Sequence, residues 1–144
     1  MPDFRTPTSA ERLEIYALLE SSGLPIADLS VADPFFIVAA DGACVNGVVG
    51  FEQFGDVGLL RSLAVRREAQ ARKLGSSLVV EAERLARSVG IRELVLLTQT
   101  AADFFERRGY ARIERTNAPS AIAQSSEFRT LCPSTATCMI KSLG

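Results

Sequence analysis

Apolar residues fall at 74, 78, 82, 85 and 89, with 79 and 86 beside them. That spacing predicts a helix over Leu74–Val89, closed by Gly90. Glu83 and Arg87 sit four apart and are expected to pair on its solvent face. The stretch PFFIVAADGACVNGVVGFEQFGDVGLLRSLAV reads differently, as three strands with turn signals at Asp41-Gly42 and Gly55-Asp56. Pro34 falls at a strand start, where its missing N–H does no harm. Asp3–Arg5 reads as a short first strand. Thr8-x-x-Glu11 is a capping-box pattern, and the helix it opens runs to Ser22, with Gly23 as its stop. Leu24–Ser30 reads as a second, short helical turn. Glu93–Thr98 (ELVLLT) is a short buried strand. Thr100-x-x-Asp103 is expected to cap a helix that stops at Gly109, and Tyr110–Thr116 and Thr135–Leu143 read as the last two strands. The polar stretch between those strands is longer than most loops of a compact domain, which points to a functional or mobile segment. The element order is β-α-α-β-β-β-α-β-α-β-β.

Composition changes this picture little. A chain of 144 residues supports one core and is too short for two ordinary domains, so 1–144 reads as a single domain. Hydrophobic residues at 47% and charged residues at 23% predict independent folding. A net charge of −1 argues against nucleic acid. No apolar run has transmembrane length, and MPDFRTPTSAER lacks the apolar core of a signal peptide, so no membrane partner and a cytoplasmic location are expected. The cysteines, Cys44, Cys132 and Cys138, are odd in number and form no C-x-x-C pair, so neither a disulfide framework nor a metal site is indicated. Histidine is absent, which excludes Ser–His–Asp and Cys–His catalysis.

The chemistry concentrates between Gly58 and Gly90. A buried strand, GLLRSLAV, leads through the basic turn RREAQARKLG directly into the predicted helix. Backbone N–H groups at a helix start, with Arg66, Arg67, Arg72 and Lys73 nearby, suit a phosphate. A molecule with a pyrophosphate and a long tail would meet both the turn and the strand.

These residues resemble the general-control-related N-acetyltransferase (GNAT) superfamily over residues 3 to 143, most strongly over 58–110. In that family a strand ending L-x-V precedes the turn Q/R-x-x-G-x-G/A. Here Leu63, Ala64 and Val65 precede Gln70, Ala71, Arg72, Lys73, Leu74 and Gly75. A second family pattern, N-x-x-A-x-x-F/L-Y-x-x-x-G-F/Y, matches Thr98-Gln99-Thr100-Ala101-Ala102-Asp103-Phe104-Phe105-Glu106-Arg107-Arg108-Gly109-Tyr110. Two departures stand out. Lys73 replaces the first glycine of the turn, and Phe105 replaces the tyrosine that protonates the leaving thiolate in many relatives. The segments GLPIADL, GLLRSLAV, LLTQTAADFFERRGY and SSEFRTLCPSTATCM resemble more closely a GNAT subgroup associated with arsenic-resistance operons, itself similar to phosphinothricin acetyltransferases.

The resemblance implies an α/β (α+β) fold, with a mixed, mostly antiparallel sheet of about six to seven strands and about four helices on both faces. It implies acetyl-coenzyme A as acyl donor, without a metal. It places the cofactor on Leu63, Ala64, Val65, Gln70, Ala71, Arg72, Lys73, Leu74, Gly75, Ser76, Thr98, Ala101 and Phe104. The strand ending Leu63–Val65 should splay from Leu94–Thr98, and the acyl tail should lie between them. The acceptor would be the primary amine of a small molecule, amino-acid-like or an arsenic-containing toxin. The partner is then that amine, and the protein a monomer or homodimer. On the acceptor side the candidates are Glu52 as proton acceptor and Arg61 and Ser62 beside the thioester. Arg61 either faces the cleft and grips an acceptor carboxylate or points outward. Glu127 and Phe128, in the long polar stretch, are candidates to cover the acceptor. Cys132 is a weak candidate for trivalent arsenic. A GNAT-fold protein that binds coenzyme A without turnover is the alternative, prompted by Lys73 and Phe105.

Overall fold

The structure, a computed structural model, describes residues 3–42, 44–125, 128 and 135–144, with backbone alone at 71 and 72. Seven strands form one sheet: β1 (Asp3–Arg5), β2 (Phe35–Asp41), β3 (Cys44–Phe54), β4 (Val57–Val65), β5 (Glu93–Thr98), β6 (Ala111–Ile113) and β7 (Thr137–Ser142). Their order is β1-β2-β3-β4-β5-β7-β6, and every pairing is antiparallel except β4 with β5. The helices are α1 (Arg12–Ser21), α2 (Leu29–Ala32), α3 (Leu74–Ser88), α4 (Ala102–Glu106) and α5 (Ser120–Ala123).

Alternation along the strands sorts the core into two layers. Phe36, Val38, Leu59, Val95 and Cys138 face α1, α2 and α5. Ile37, Ala39, Leu60, Leu94, Leu96 and Met139 face α3 and α4. The Gly55-Asp56 turn signal closes the β3–β4 hairpin, where Phe54 pairs with Val57 and Gly55 takes φ 67°. Gly58 is needed for a different reason. A Cβ there would lie 2.8 Å from Leu94 Cδ2 and 2.9 Å from Ile91 Cδ1, so only glycine lets β4 pack this tightly on its neighbours.

Five local expectations change. The helical turn expected over Leu24–Ser30 forms at Leu29–Ala32. Glu83 is buried, not on a wet face. Its carboxylate accepts the Tyr110 hydroxyl at 2.9 Å and Lys141 Nζ at 3.0 Å, while Arg87 donates to the Leu143 carbonyl. The helix after β5 is not capped by Thr100. It starts at Ala102, and the Thr98 hydroxyl accepts the Ala101 N–H at 3.0 Å. The strand expected over Tyr110–Thr116 shortens to Ala111–Ile113 and passes into a 3-10 turn at Arg115–Asn117. The polar stretch also contains α5, whose four residues are too few for periodicity to reveal. At the N-terminus the Thr8 N–H does donate to Glu11, as its motif predicts. Arg5 grips the same carboxylate and, with that backbone bond, holds its pKa down to about 2.

The Glu83 cluster generates two predictions. Glu83→Ala strands a buried hydroxyl and a half-buried ammonium. It should cost about 2–3 kcal/mol in urea unfolding, because Lys141 can partly rehydrate; an unchanged midpoint would contradict the network. Burial, then the adjacent Glu83 charge, pushes the Tyr110 hydroxyl pKa well above its ordinary 10.0. That contribution is intact below pH 10.0 and is lost above it, as the unfolded chain ionises first. Unfolding against pH should show this alkaline fall, and Tyr110→Phe should flatten it.

Candidate functional site

Parallel pairing between β4 and β5 ends at Leu59 and Val95, although β4 continues to Val65 and β5 to Thr98. Beyond that point the two edges part and leave backbone N–H and C=O groups without ladder partners between these strands. The gap opens into a cleft of about 640 Å³ lined by Leu60–Val65, Leu96–Ala101 and Phe105, with Ser22–Pro25 as a further wall. β4 also carries a bulge on its other edge. Val48 pairs with Ala64 but Gly50 with Arg61, so β4 holds one extra residue there. Ser62, inside the bulge, adopts φ 61°. A non-glycine residue in that region is strained, and such strain concentrates at functional sites.

A second groove, about 520 Å³, shares Leu63, Ala64, Val65, Gln70 and Ala101 with the cleft. It continues past Lys73, Gly75, Ser76, Phe104, Arg107 and Arg108. Its floor is the start of α3, whose first backbone N–H groups have no intrahelical acceptor. Gln70 Nε2 donates to the Val65 carbonyl at 3.2 Å and closes the turn. Lys73 caps the helix at φ 58°, the left-handed conformation that the family's glycine would take without strain. Arg108 lies over the Phe104 ring, 3.7 Å from its centroid, and donates to the Phe104 carbonyl and to the Ser76 hydroxyl. Its Nε is buried and finds no hydrogen-bond partner among the described residues. Three cations, one of them Arg108 with its orphaned Nε, outnumber the one carboxylate, Asp103, around this helix start, which suits a phosphate-bearing ligand.

The acceptor side departs from expectation at Arg61. Its side chain is fully buried, on the α1–α2 face of the sheet. Nη1 and Nη2 each donate to Asp28 at 2.7 Å, Nη1 donates to Glu52 at 2.8 Å, and Nε to the Ser62 hydroxyl at 3.3 Å. A guanidinium held this way is not an outward surface group: it borders the cleft and donates to Asp28, Glu52 and Ser62. Asp28, 33 positions away, was missed because nothing local marks it.

Of the expected cofactor residues, Leu63, Ala64, Val65, Gln70, Lys73, Gly75, Ser76, Thr98, Ala101 and Phe104 gather around the cleft and groove. Leu74 does not: its side chain is core beneath the sheet, leaving only its backbone at the helix start. The side chains of Ala71 and Arg72, and all of Glu127 and Cys132, lie outside the described residues. Phe128 packs on Leu59, Ile122 and Cys138 under the Arg115 guanidinium, and does not line the cleft. Arg66 turns away from the groove to Cys44 and Glu68. Arg107 and Arg108 were missed, although two cations directly before Gly109 were a readable signal. Phe105 packs edge-on against Phe104 and Tyr110 and borders the cleft without a proton to give. Tyr110 is committed to Glu83, and burial pushes the Cys138 thiol pKa up.

Comparison with known proteins agrees with this geometry. The family model for the acetyltransferase (GNAT) domain matches residues 32–112. An uncharacterized N-acetyltransferase of Chlorobaculum tepidum is 35% identical over 88 residues, 58% of this chain and 54% of that protein. The chain thus spans about half the length of that relative. Among solved structures, N-acetylglutamate synthase from Neisseria gonorrhoeae, complexed with coenzyme A and N-acetyl-glutamate, superposes with a TM-score of 0.85 at 21% identity, over 100% of this chain and 35% of that one. A Mycobacterium tuberculosis protein complexed with coenzyme A gives 0.80 at 21% identity, over 98% and 99% of the two chains. At those identities the likeness is one of fold. The segment matched by the family model contains the parted strands, the bulge and the start of α3, and the chain belongs to the GNAT acetyltransferase domain family.

Proposed function

We propose that this chain is an acetyl-coenzyme A-dependent N-acetyltransferase acting on the primary amine of a small molecule. The observation that carries this reading is the continuity of the β4–β5 cleft with the cationic groove at the start of α3. The orphaned Arg108 Nε supports the fit.

Acetyl-coenzyme A would supply the activated acyl carbonyl. The α3 N–H groups, Lys73, Arg107 and Arg108 would hold its phosphates. Unpaired backbone groups of Leu63–Val65 would orient the amide-bearing tail and hydrogen-bond the carbonyl where negative charge develops. Apolar Leu60, Leu96 and Phe105 would exclude water. Water would take the amine proton; Glu52, the candidate for that role, is bonded to Arg61 and borders a depression beside the cleft. Placing amine and carbonyl at attack distance supplies much of the rate by itself, since good orientation lowers such barriers by roughly 7–11 kcal/mol. An amino-acid-like or arsenic-containing acceptor is supported only by the sequence resemblance to the arsenic-resistance subgroup. The cation expected to bind its carboxylate, Arg61, is held by Asp28 and Glu52.

Thiol release from acetyl-coenzyme A with a panel of small amines, alongside calorimetry with coenzyme A, tests the reading. Binding without release from any amine would favour the non-catalytic alternative. At the turn, Gly75→Glu should weaken coenzyme A binding about 10–100-fold, the equivalent of losing one charge-assisted contact. Gly75→Ala should be nearly neutral, since its Cβ meets only ordinary contacts. Lys73→Gly removes one cation but relieves φ 58°, so it should change affinity less than Gly75→Glu does. Unchanged affinity in Gly75→Glu would remove the cofactor from the turn. Activity should rise with pH as the amine deprotonates, because Tyr110 and Cys138 are both pushed upward and histidine is absent. A sharp alkaline limb near pH 8 would require another proton donor.

A further inference from the structure

The charges around Arg61 do not balance. One guanidinium serves two carboxylates, Asp28 through both oxygens at 2.7 Å and Glu52 through Oε2 at 2.8 Å. The three side chains are 0%, 9% and 10% exposed. Among the described residues one negative charge is therefore left over, on carboxylates about nine-tenths buried, where a cation is favoured over an anion. The surplus can be located. Asp28 spends both oxygens on Arg61, whereas Glu52 Oε1 takes no hydrogen bond among the described residues. Glu52 also lines a depression of about 510 Å³ between the end of α2 and the tip of the β3–β4 hairpin. Asp33 stands exposed on its rim, Phe35 and Phe54 border it, and no lysine or arginine is among its described lining. Arg61 and Ser62 in turn line the cleft, so the Arg61–Glu52 pair borders both cleft and depression.

We propose that the acceptor is a cationic amine whose positive group is received at Glu52, and that a carboxylate at that end of the acceptor is selected against. The proposal rests on the acetyl-transfer reading above and names its substrate class. A second ammonium, placed a few carbons from the reacting amine, would complete the two-carboxylate, one-guanidinium cluster. The Phe35 and Phe54 rings offer further attraction to a cation. An acceptor carboxylate would meet like charge instead, with Arg61 already bonded to Asp28 and Glu52.

Three acceptors that share a four-carbon aminoalkyl chain test this: butane-1,4-diamine, pentylamine and 5-aminopentanoate, ending in ammonium, methyl and carboxylate. The expected order of kcat/KM is diamine above pentylamine above 5-aminopentanoate, with about tenfold or more at each step. The diamine's KM should rise with ionic strength. Asp33→Asn, an exposed change on the rim of the depression, should lower the ratio of diamine to pentylamine kcat/KM about three- to tenfold. Calorimetry of the diamine with the coenzyme A-loaded protein gives a readout independent of turnover, and Glu52→Gln should abolish that binding. If 5-aminopentanoate matches pentylamine, or the diamine binds no better than pentylamine, the proposal is overturned. If the diamine binds and Glu52→Gln removes it, yet no amine releases thiol, the acetyl-transfer reading fails while the charge selection stands.

Discussion

Val57–Leu59 pair in parallel with Glu93–Val95, and then β4 and β5 separate. The site depends on both halves of that arrangement. The paired half is held tight at Gly58, where Leu94 and Ile91 leave no room for a side chain. The parted half cannot close, because β4 is bulged at Ser62 against β3 and follows its own course from there. The result is an opening in the middle of a sheet whose other edges are paired or short. Buried backbone groups without ladder partners need other partners, and a ligand with amides and a carbonyl can supply them. The same divergence sets the far end of β4 beside the start of α3, so the cleft runs into the phosphate-suited groove without a break.

Two buried ionic clusters brace this opening from opposite faces of the sheet. On one face, Asp28 and Glu52 hold Arg61 next to the strained Ser62, joining α2, β3 and β4 at the bulge. On the other, Glu83 receives Tyr110 and Lys141, and Lys141 also donates to the Arg108 carbonyl at 2.8 Å. Arg108 is the residue whose guanidinium covers Phe104 and reaches Ser76 in the groove. Burying ions rarely adds net stability over apolar packing. Both clusters nevertheless lie directly behind the elements that would have to hold a ligand in register, and there rigidity matters more than stability.

Legibility in the sequence followed distance along the chain. The α3 apolar face, the Gly55 turn and the basic turn before Leu74 were readable because each depends on residues within a few positions of one another. Lys73 was readable as an irregularity, and its left-handed φ supplies the physical reason that glycine is usual there. Glu83 was misread because a helical pair with Arg87 is a sound local guess, and the ammonium and hydroxyl that displaced it come from β7 and the residue before β6. Leu74 was misread in the same way: one position of a binding turn is also the first core position of a helix.

Strand and helix periods, most turns, the order of the elements apart from α5 and, through two spaced motifs, the resemblance to an acetyltransferase domain were set by local sequence. Those follow from steric preference and side-chain alternation, which act between near neighbours. Only the tertiary structure decided what Arg61 and Glu83 do. Asp28 meets Arg61 across 33 positions, and Lys141 meets Glu83 across 58. Which partner a buried charge finds depends on which strands the topology lays side by side, and no local pattern carries that information. The proposed acceptor side rests on such long-range pairs, whereas the turn before α3 is one continuous segment.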